Sequence, residues 1–272
     1  MGDLEVAQNI ATNMLKNIDR ICRENDIEYF IIAGTLLGAV RHGGFIPWDD
    51  DIDIAMTREN YNRFLRIAQK ELGDKFFVQT SESDKYYDIF HVPLKIRDNN
   101  SRVISEKNAK YHSGVFIDVF PLDYLSNNNL LRKLERNLAS IFSVSNTVIG
   151  SPFSGLGVMN KILYPIHYFN YKCLSFNVRR KIISSISKLT GKDKDIISYG
   201  LDSIWKVEFK TKDIYPTIDM KFGDLTVMGP RNAHNVLVAE YGKNYMTPPP
   251  EDQRFPYHFK GVEIINEDKF NS

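Results

Sequence analysis

The sequence has few cysteines, no long apolar run and almost no net charge, and each shortage excludes a class of protein. Its two cysteines, Cys22 and Cys173, lie far apart and form no C-x-x-C motif, which excludes a disulfide framework and is typical of a reducing compartment. The longest stretch without a charged residue, 137–160, contains Pro152 and several serines, asparagines and glycines, unlike the roughly 20 apolar residues of a membrane-spanning helix. There are 35 lysines and arginines against 34 aspartates and glutamates, so no overall charge indicates binding to nucleic acid.

Several motifs of well-known enzyme classes are missing as well. The chain contains no G-x-x-x-x-G-K-[ST], G-x-G-x-x-G, HExxH or G-x-S-x-G sequence, which argues against a P-loop, a dinucleotide-binding fold, a zincin and a serine hydrolase of the nucleophile-elbow type. The first five residues lack the basic and apolar regions of a signal peptide, so a cytoplasmic location is expected. With 43% hydrophobic and 25% charged residues, the chain has the composition of a globular protein.

What is present predicts a mixed α/β fold. Apolar residues recur every three or four positions over Leu4–Arg23, which predicts an amphipathic helix. The runs Tyr29–Ala33 and Asp51–Met56 predict strands, and Arg58–Leu72 predicts a helix that Thr57 caps and Gly73 ends. Further strands are predicted at Phe76–Thr80, Phe90–Arg97, Arg102–Ser105 and Gly114–Val119. We interpret residues 1–125 as one domain with an α+β mixed sheet.

A basic helical segment follows, over residues 126–200. Between 129 and 195 there are eleven lysines and arginines and three acids, an excess of 11 − 3 = +8. Two interpretations stay open: a helical lid, or a surface that lies on the inner face of an anionic membrane. Nucleic acid is not expected, since no basic, aromatic strand of an RNA-binding module is present. Residues 201–272 are interpreted as completing the first domain, with strands in Ile214–Met228, a helix over Pro230–Tyr241 and an extended tail.

The acidic run at residues 49–53 carries the strongest chemical signal. Alternation along a strand places Asp49, Asp51 and Asp53 on one face, with Ile52 and Ile54 on the other. Carboxylates roughly 6–7 Å apart repel by roughly 2–3 kcal/mol at an effective dielectric constant near 20. A cation on that face relieves the repulsion, and oxygen ligands favour Mg²⁺ or Mn²⁺.

Two other interpretations of this run were weighed. A solvated acidic loop is the common one, but it does not explain the interleaved isoleucines. A calcium-binding EF-hand loop requires glycine at its sixth position and glutamate at its twelfth. This sequence has Ile54 and Asn60 there.

A third carboxylate and a possible phosphate-binding turn accompany the acidic run. Asp118 lies inside an apolar stretch, where a lone acid is costly unless it binds a metal or forms a salt bridge. Asp123 is interpreted as a turn residue. Gly34 and Thr35 follow a buried strand and precede a helix, so their backbone N–H groups and the hydroxyl can hold a phosphate.

These residues lie in a block that resembles the LicD family, whose relatives include fukutin and fukutin-related protein. The block is GTLLGAVRHGGFIPWDDDIDIAM, residues 34–56. The resemblance continues in Leu94–Arg97, Val115–Asp123 and Tyr241–Pro249, and no departure is seen in the acidic run or the Gly-Thr turn.

The resemblance implies a nucleotidyltransferase fold and a transferase. Such an enzyme moves a phosphorylated alcohol, most often phosphocholine, from a CDP-alcohol to a hydroxyl of a cell-surface glycan such as teichoic acid, capsule or lipopolysaccharide, and releases CMP. By position, Gly34 and Thr35 would hold the donor phosphates, and Asp51, Asp53 and Asp118 would bind the metal. Asp49 is the first member of the extended acidic motif.

Further substrate-binding candidates follow from charge. The donor's pyrophosphate needs cations, for which Arg41, Lys95 and Arg97 are candidates, with surface solvation the alternative for the last two. His42 is a candidate contact for donor or acceptor, or a structural hydrogen-bonding group. Trp48 is expected to pack in the core more than to stack on a base.

Three alternatives to phosphocholine transfer stay open. The first is transfer of ribitol phosphate or glycerol phosphate. The second is nucleotidyl transfer from an NTP, because the same turn and carboxylates serve both reactions. The third is a non-catalytic scaffold of a glycan-assembly complex.

Overall fold

The computed structural model describes residues 2–87, 92–190, 195–203, 205–256 and 259–265. The α-helices formed by these residues are α1 (Asp3–Glu24), α2 (Ala33–His42), α3 (Arg58–Leu72), α4 (Asn129–Ser143), α5 (Ser145–Gly150), α6 (Val158–Ile162), α7 (Tyr164–Cys173), α8 (Phe176–Thr190), α9 (Thr211–Ile214) and α10 (Ala233–Tyr241). The strands are β1 (Phe30–Ile31), β2 (Ile52–Thr57), β3 (Phe76–Gln79), β4 (Lys95–Asp98), β5 (Ser101–Val103), β6 (Phe116–Leu125), β7 (Ile196–Tyr199), β8 (Glu208–Lys210), β9 (Ile218–Phe222), β10 (Leu225–Gly229) and β11 (Val262–Ile264). The predicted mixed α/β class is confirmed.

The chain forms two compact units, and the first contains the predicted chemistry. It combines residues 2–87, 92–121 and the chain from 212 onward. Its sheet has the strand order β1-β2-β6-β4-β3. Strand β6 therefore lies between β2 and β4, so the acidic strand and the Asp118 strand are direct neighbours.

Periodicity explains the helices around this sheet. The apolar stripe of α1 is buried, as its spacing predicts. The Thr57 hydroxyl accepts a hydrogen bond from the Asn60 N–H at the start of α3, and Gly73 ends that helix with a φ of 62°. These contacts confirm the predicted N-cap and the glycine stop.

Several predicted boundaries differ from the structure. The strand predicted at Phe90–Arg97 is observed only from Lys95, and Phe90 and His91 lie outside the described residues. Strand β6 runs on to Leu125, so Asp123 is a buried strand residue and not a turn residue. Its carboxylate accepts the Leu201 N–H at 3.0 Å, which satisfies the buried acid.

The C-terminal part also differs from expectation. The predicted helix begins at Ala233, because Asn232 caps it through the Asn235 N–H, so Pro230 lies outside it. The expected extended tail contains a strand, β11, which pairs with β5. A short strand at the end of the chain therefore completes a small second sheet.

The second unit contains residues 122–211. The last four residues of β6 pair with β7, and β7 pairs with β8. A small core of Leu125, Ala139, Ile183 and Leu201 forms between β6, α4, α8 and the residues after β7. No helix in the described ranges is long and apolar enough to cross a membrane.

Candidate functional site

A cleft of about 540 Å³ opens in the first unit beside the acidic run. The start of α2, the segment before β2 and the chain after α10 supply its walls. The lining residues are Ala33, Gly34, Leu37, Arg41, Ile46, Trp48, Asp49, Asp50, Asp51, Asp53, Tyr241, Asn244, Tyr245, Thr247 and Pro249. Acidic side chains therefore line a cavity large enough for a small molecule.

Three carboxylates from neighbouring strands meet at the base of this region. One oxygen from each of Asp51, Asp53 and Asp118 lies within 4.8 Å of the others. Asp53 lies in β2 and Asp118 in the adjacent β6, while Asp51 directly precedes β2. A second group, Asp49, Asp50 and Asp51, satisfies the same distance criterion and shares Asp51 with the first. The structure thus brings together four predicted carboxylates, and it adds Asp50.

Burial of these acids makes their ionisation costly. Burial first, and then the charge of neighbouring carboxylates, raises the pKa of Asp51 and of Asp53 well above the usual range. The same two causes raise the pKa of Asp49 to about 6. A positive charge placed beside these carboxyl groups would therefore favour their ionised forms.

Lys95 supplies part of that charge. It pairs with Asp118 in the register of β4 and β6, and its Nζ lies 2.5 Å from an Asp118 carboxylate oxygen. The same Nζ lies 3.5 Å from the centroid of the Phe116 ring. Lys95 is buried, and its positive charge offsets a part of the rise in the pKa of Asp51 and Asp53. It contacts the acidic cluster directly, so surface solvation does not describe it.

The donor set fits a divalent cation. Asp51, Asp53 and Asp118 offer only carboxylate oxygens, which Mg²⁺ and Mn²⁺ accept. With all three ionised and Lys95 protonated, the group carries −3 + 1 = −2. One divalent cation would balance this charge.

The predicted helix after Thr35 begins earlier, at Ala33, so Gly34 and Thr35 lie in the first turn of α2 and do not precede it. Ala33 has a φ of 51°, a left-handed conformation that is uncommon outside glycine and often occurs at functional sites. No side chain caps this helix, and Ala33 and Gly34 line the cleft. Free N–H groups at a helix N-terminus bind anionic oxygens well.

Thr35 connects this turn to the acidic strand. Its side chain is buried, and its hydroxyl oxygen accepts a hydrogen bond from the Asp53 backbone N–H at 2.8 Å. The threonine therefore holds Asp53 in place, while its O–H proton stays available to another acceptor.

Gly34 allows the close approach of Asp49. A Cβ at position 34 would lie 2.7 Å from an Asp49 carboxylate oxygen. Because that oxygen ends a side chain, substitution would displace Asp49 and leave the backbone in place.

We expect Gly34→Ala to lower activity at least about tenfold with little loss of stability, because it moves a carboxylate that lines the cleft. A double-mutant cycle checks the cause. In an Asp49→Ala background, Gly34→Ala should have little further effect on the rate. An equal loss in both backgrounds would contradict the proposed contact.

The remaining predicted cations and His42 are placed differently. Arg41 lines the cleft, and its guanidinium donates to the Tyr245 carbonyl at 3.1 Å. Burial lowers its pKa. His42 is exposed, 6.1 Å from the Trp48 ring between centroids, and does not line the cleft.

Arg97 does not reach the site. It is fully buried, and it donates to Glu106 at 2.6 Å, to Gln79 and to the Gly114 carbonyl. These bonds place Arg97 in a structural ion pair with Glu106. The structure does not bring it into the lining of the cleft.

Sequence reasoning missed several residues of the cleft. Trp48 lines it rather than the core, and Arg254 lies over its ring at 5.4 Å. Tyr241, Asn244 and Tyr245 also line it. Desolvation of the hydroxyl first, then the charge of Glu240, and then three of the aspartates raise the pKa of the Tyr241 phenol. The signal was present in the Tyr241–Pro249 block, to which no role was assigned.

Comparison with known families agrees with this geometry. The family described as LicD/FKTN/FKRP, nucleotidyltransferase domain, matches residues 26–134. Residues 26–134 are therefore similar to the LicD-family domain. The matched LicD domain contains the Gly-Thr turn, the acidic run, Lys95 and Asp118, whereas the Tyr241–Pro249 part of the cleft lies beyond it.

Individual relatives extend the similarity. The lipopolysaccharide cholinephosphotransferase LicD of Haemophilus influenzae is 27% identical over 269 residues, which cover 96% of this chain and 98% of that protein. The ribitol 5-phosphate transferase FKRP of Homo sapiens is 34% identical over 74 residues, 21% of this chain and 15% of that protein. Mannosyltransferase regulator 4 of Saccharomyces cerevisiae is 22% identical over 127 residues, 44% of this chain and 10% of that protein. Similarity to the first relative thus extends through both units.

Proposed function

We propose that this protein is a metal-dependent phosphotransferase of the LicD family. It would transfer a phosphorylated alcohol, with phosphocholine favoured, from a CDP-alcohol to a hydroxyl of a cell-surface glycan such as teichoic acid, capsule or lipopolysaccharide. The observation that carries the proposal is the meeting of Asp51, Asp53 and Asp118 beside a cleft of about 540 Å³, which Asp51 and Asp53 line. Phosphocholine is favoured because the cholinephosphotransferase relative aligns over 96% of the chain.

Each wall of the cleft would have a part in donor binding. The uncapped start of α2, with Gly34, would contact the pyrophosphate oxygens through backbone N–H groups. Arg41 would neutralise phosphate charge. Trp48 and Tyr245 offer aromatic surface to the cytosine base.

The reaction is a displacement at the phosphorus distal to cytidine. The acceptor hydroxyl oxygen forms the new P–O bond, the bond to CMP breaks, and CMP leaves with the electron pair. Asp51, Asp53 and Asp118 would hold Mg²⁺ or Mn²⁺, which when bound supplies charge stabilisation to the phosphoryl group. Asp49 lines the cleft, and its pKa of about 6 suits a group that accepts the hydroxyl proton near neutral pH.

The acceptor we propose is a glycan or a lipid-linked glycan. With a lipid-linked acceptor, transfer would take place in the cytoplasm, at the inner face of a membrane.

A donor panel tests this function. Purified protein with Mg²⁺ and a glycan acceptor is incubated with CDP-choline, CDP-ribitol, CDP-glycerol or an NTP, and CMP and pyrophosphate are measured. We expect more CMP from CDP-choline than from CDP-ribitol or CDP-glycerol. We expect no pyrophosphate from the NTP.

Other outcomes would contradict the proposal in distinct ways. Pyrophosphate release would show nucleotidyl transfer, and best use of CDP-ribitol or CDP-glycerol would change the alcohol. No turnover together with no calorimetric binding of Mg²⁺ or Mn²⁺ would favour a scaffold. Asp53→Asn is the matched negative control for every arm.

A further inference from the structure

Three helices of the second unit, α4, α6 and α7, turn large apolar side chains outward. Helix α4 buries Glu135 and Ala139, while Leu130 and Leu134 are 77% and 53% exposed. Water-exposed helices normally bury the apolar side. The apolar face of α4 therefore points away from the unit.

Helices α6 and α7 also turn apolar side chains outward. Val158, Met159 and Ile162 of α6 are between 65% and 75% exposed. Helix α7 buries His167 and Asn170 and exposes Phe169 at 57%. Helix α7 packs on α4 and on α6, so these outward side chains belong to one packed group of helices.

Polar contacts beneath these helices hold that orientation. The Asn170 amide donates to the Ile141 carbonyl at 3.2 Å, and the Ser145 hydroxyl lies 3.3 Å from a His167 ring nitrogen. The buried Arg179 guanidinium donates to the Asn146 side chain at 2.6 Å. Rotating the helices to bury their leucines would break these bonds and leave buried polar groups unsatisfied.

We name the outward side chains Leu130, Leu134, Val158, Met159, Ile162 and Phe169 the apolar surface. These side chains lie on three helices of one packed group, and large exposed apolar surfaces mark interaction sites. The net charge of the segment that contains these side chains indicates what kind of partner covers them. Residues 129–190 contain nine lysines and arginines and a single acid, Glu135, a balance of 9 − 1 = +8. Because Glu135 is only 2% exposed, this segment presents no carboxylate to the outside.

We propose that the apolar surface lies in the headgroup region of a bilayer that contains anionic lipids. Apolar and aromatic side chains together with lysines are the composition of an interfacial surface. A second copy of this chain would bring one basic surface against another. This inference does not depend on the proposed function.

Vesicle flotation with the full chain tests it. We expect the protein to float with phosphatidylglycerol vesicles at low salt, and at least about tenfold less with phosphatidylcholine vesicles. High salt should weaken the binding. Lys133→Gln with Lys172→Gln, both at exposed positions, should lower the partition coefficient at low salt about 25-fold, since each charge contributes roughly fivefold.

Apolar-to-polar substitutions test whether vesicle binding depends on the apolar surface in particular. A control variant carries the same kind of change in the first unit. Leu130→Gln, Leu134→Gln, Val158→Gln and Ile162→Gln together should abolish flotation, with helix content unchanged because the side chains are exposed. Ile218→Gln with Ile265→Gln changes exposed isoleucines of the first unit and should leave flotation unchanged.

Three results would overturn the inference. The first is a wild-type chain that stays free of anionic vesicles at low salt. The second is equal loss of binding in the control variant. The third is a dimer by sedimentation that the four-glutamine variant disrupts, which would assign the surface to a second copy. Because flotation needs no donor, a failure of the donor panel leaves its outcome unaffected.

Discussion

Replacing Asp51 or Asp53 with asparagine should lower the rate of CMP release at least about 10³-fold. Each substitution removes one ionised oxygen donor from the group that meets Asp118 within 4.8 Å. Charge stabilisation by a metal contributes several kcal/mol to phosphoryl transfer, and each roughly 1.4 kcal/mol corresponds to a factor of ten. The measurement is CMP produced from the donor that the wild-type enzyme uses.

A buried aspartate of β6, the strand that contains Asp118, supplies the control. Asp123 lies five residues after Asp118 in β6, and an asparagine there can still accept the Leu201 N–H. Asp123→Asn should lose some stability and keep its activity within about threefold. Full activity in Asp51→Asn or Asp53→Asn would refute the metal role of these carboxylates.

Metal binding should also reverse an instability of the metal-free fold. Burial raises the folded-state pKa of Asp51 and Asp53. Such a carboxyl group contributes stability below its unfolded pKa of about 4, and this contribution is lost as pH rises through the raised folded pKa. At pH 7.5 the metal-free Asp53→Asn variant should therefore melt above the metal-free wild type, by at least about 2 °C.

Added Mg²⁺ should change that order. At a concentration 100 times its Kd it should stabilise the wild type by about 2.7 kcal/mol, or roughly 5–10 °C, and leave Asp53→Asn unchanged. The gain should be smaller at pH 5, where protons compete for the carboxylates. Differential scanning calorimetry with and without chelator measures both effects. A wild type that melts above Asp53→Asn without metal at pH 7.5, or equal Mg²⁺ shifts in both proteins, would contradict this account.

The sequence alone predicted those parts of the fold that depend on local spacing. The helix at residues 4–23, the cap at Thr57 and the stop at Gly73 follow from periodicity and local hydrogen bonding. The shared face of the acidic run also follows from the alternation of a strand. The site roles of Asp49, Asp51, Asp53 and Asp118 stay predictions until the variants are assayed.

Long-range contacts could not be predicted in this way. Both Lys95 and Arg97 are cations on one strand, yet the first pairs with Asp118 and the second with Glu106. Which one meets the acidic cluster depends on the register of β4 against β6. Our proposal that the basic segment lies on a membrane surface likewise rests on the direction in which α4 turns its leucines, which the sequence alone does not give.

The order of residues determined the amphipathic helices, the acidic strand and the glycine beside it, because these depend on chemistry within a few positions of the chain. Tertiary structure decided that Asp118 joins Asp51 and Asp53, that Tyr241 and Tyr245 close the cleft, and that α4 buries its glutamate. The physical reason is that burial and charge pairing belong to the assembled fold. A side chain is desolvated or neutralised by whichever strand or helix comes to lie against it, however distant that partner is in sequence.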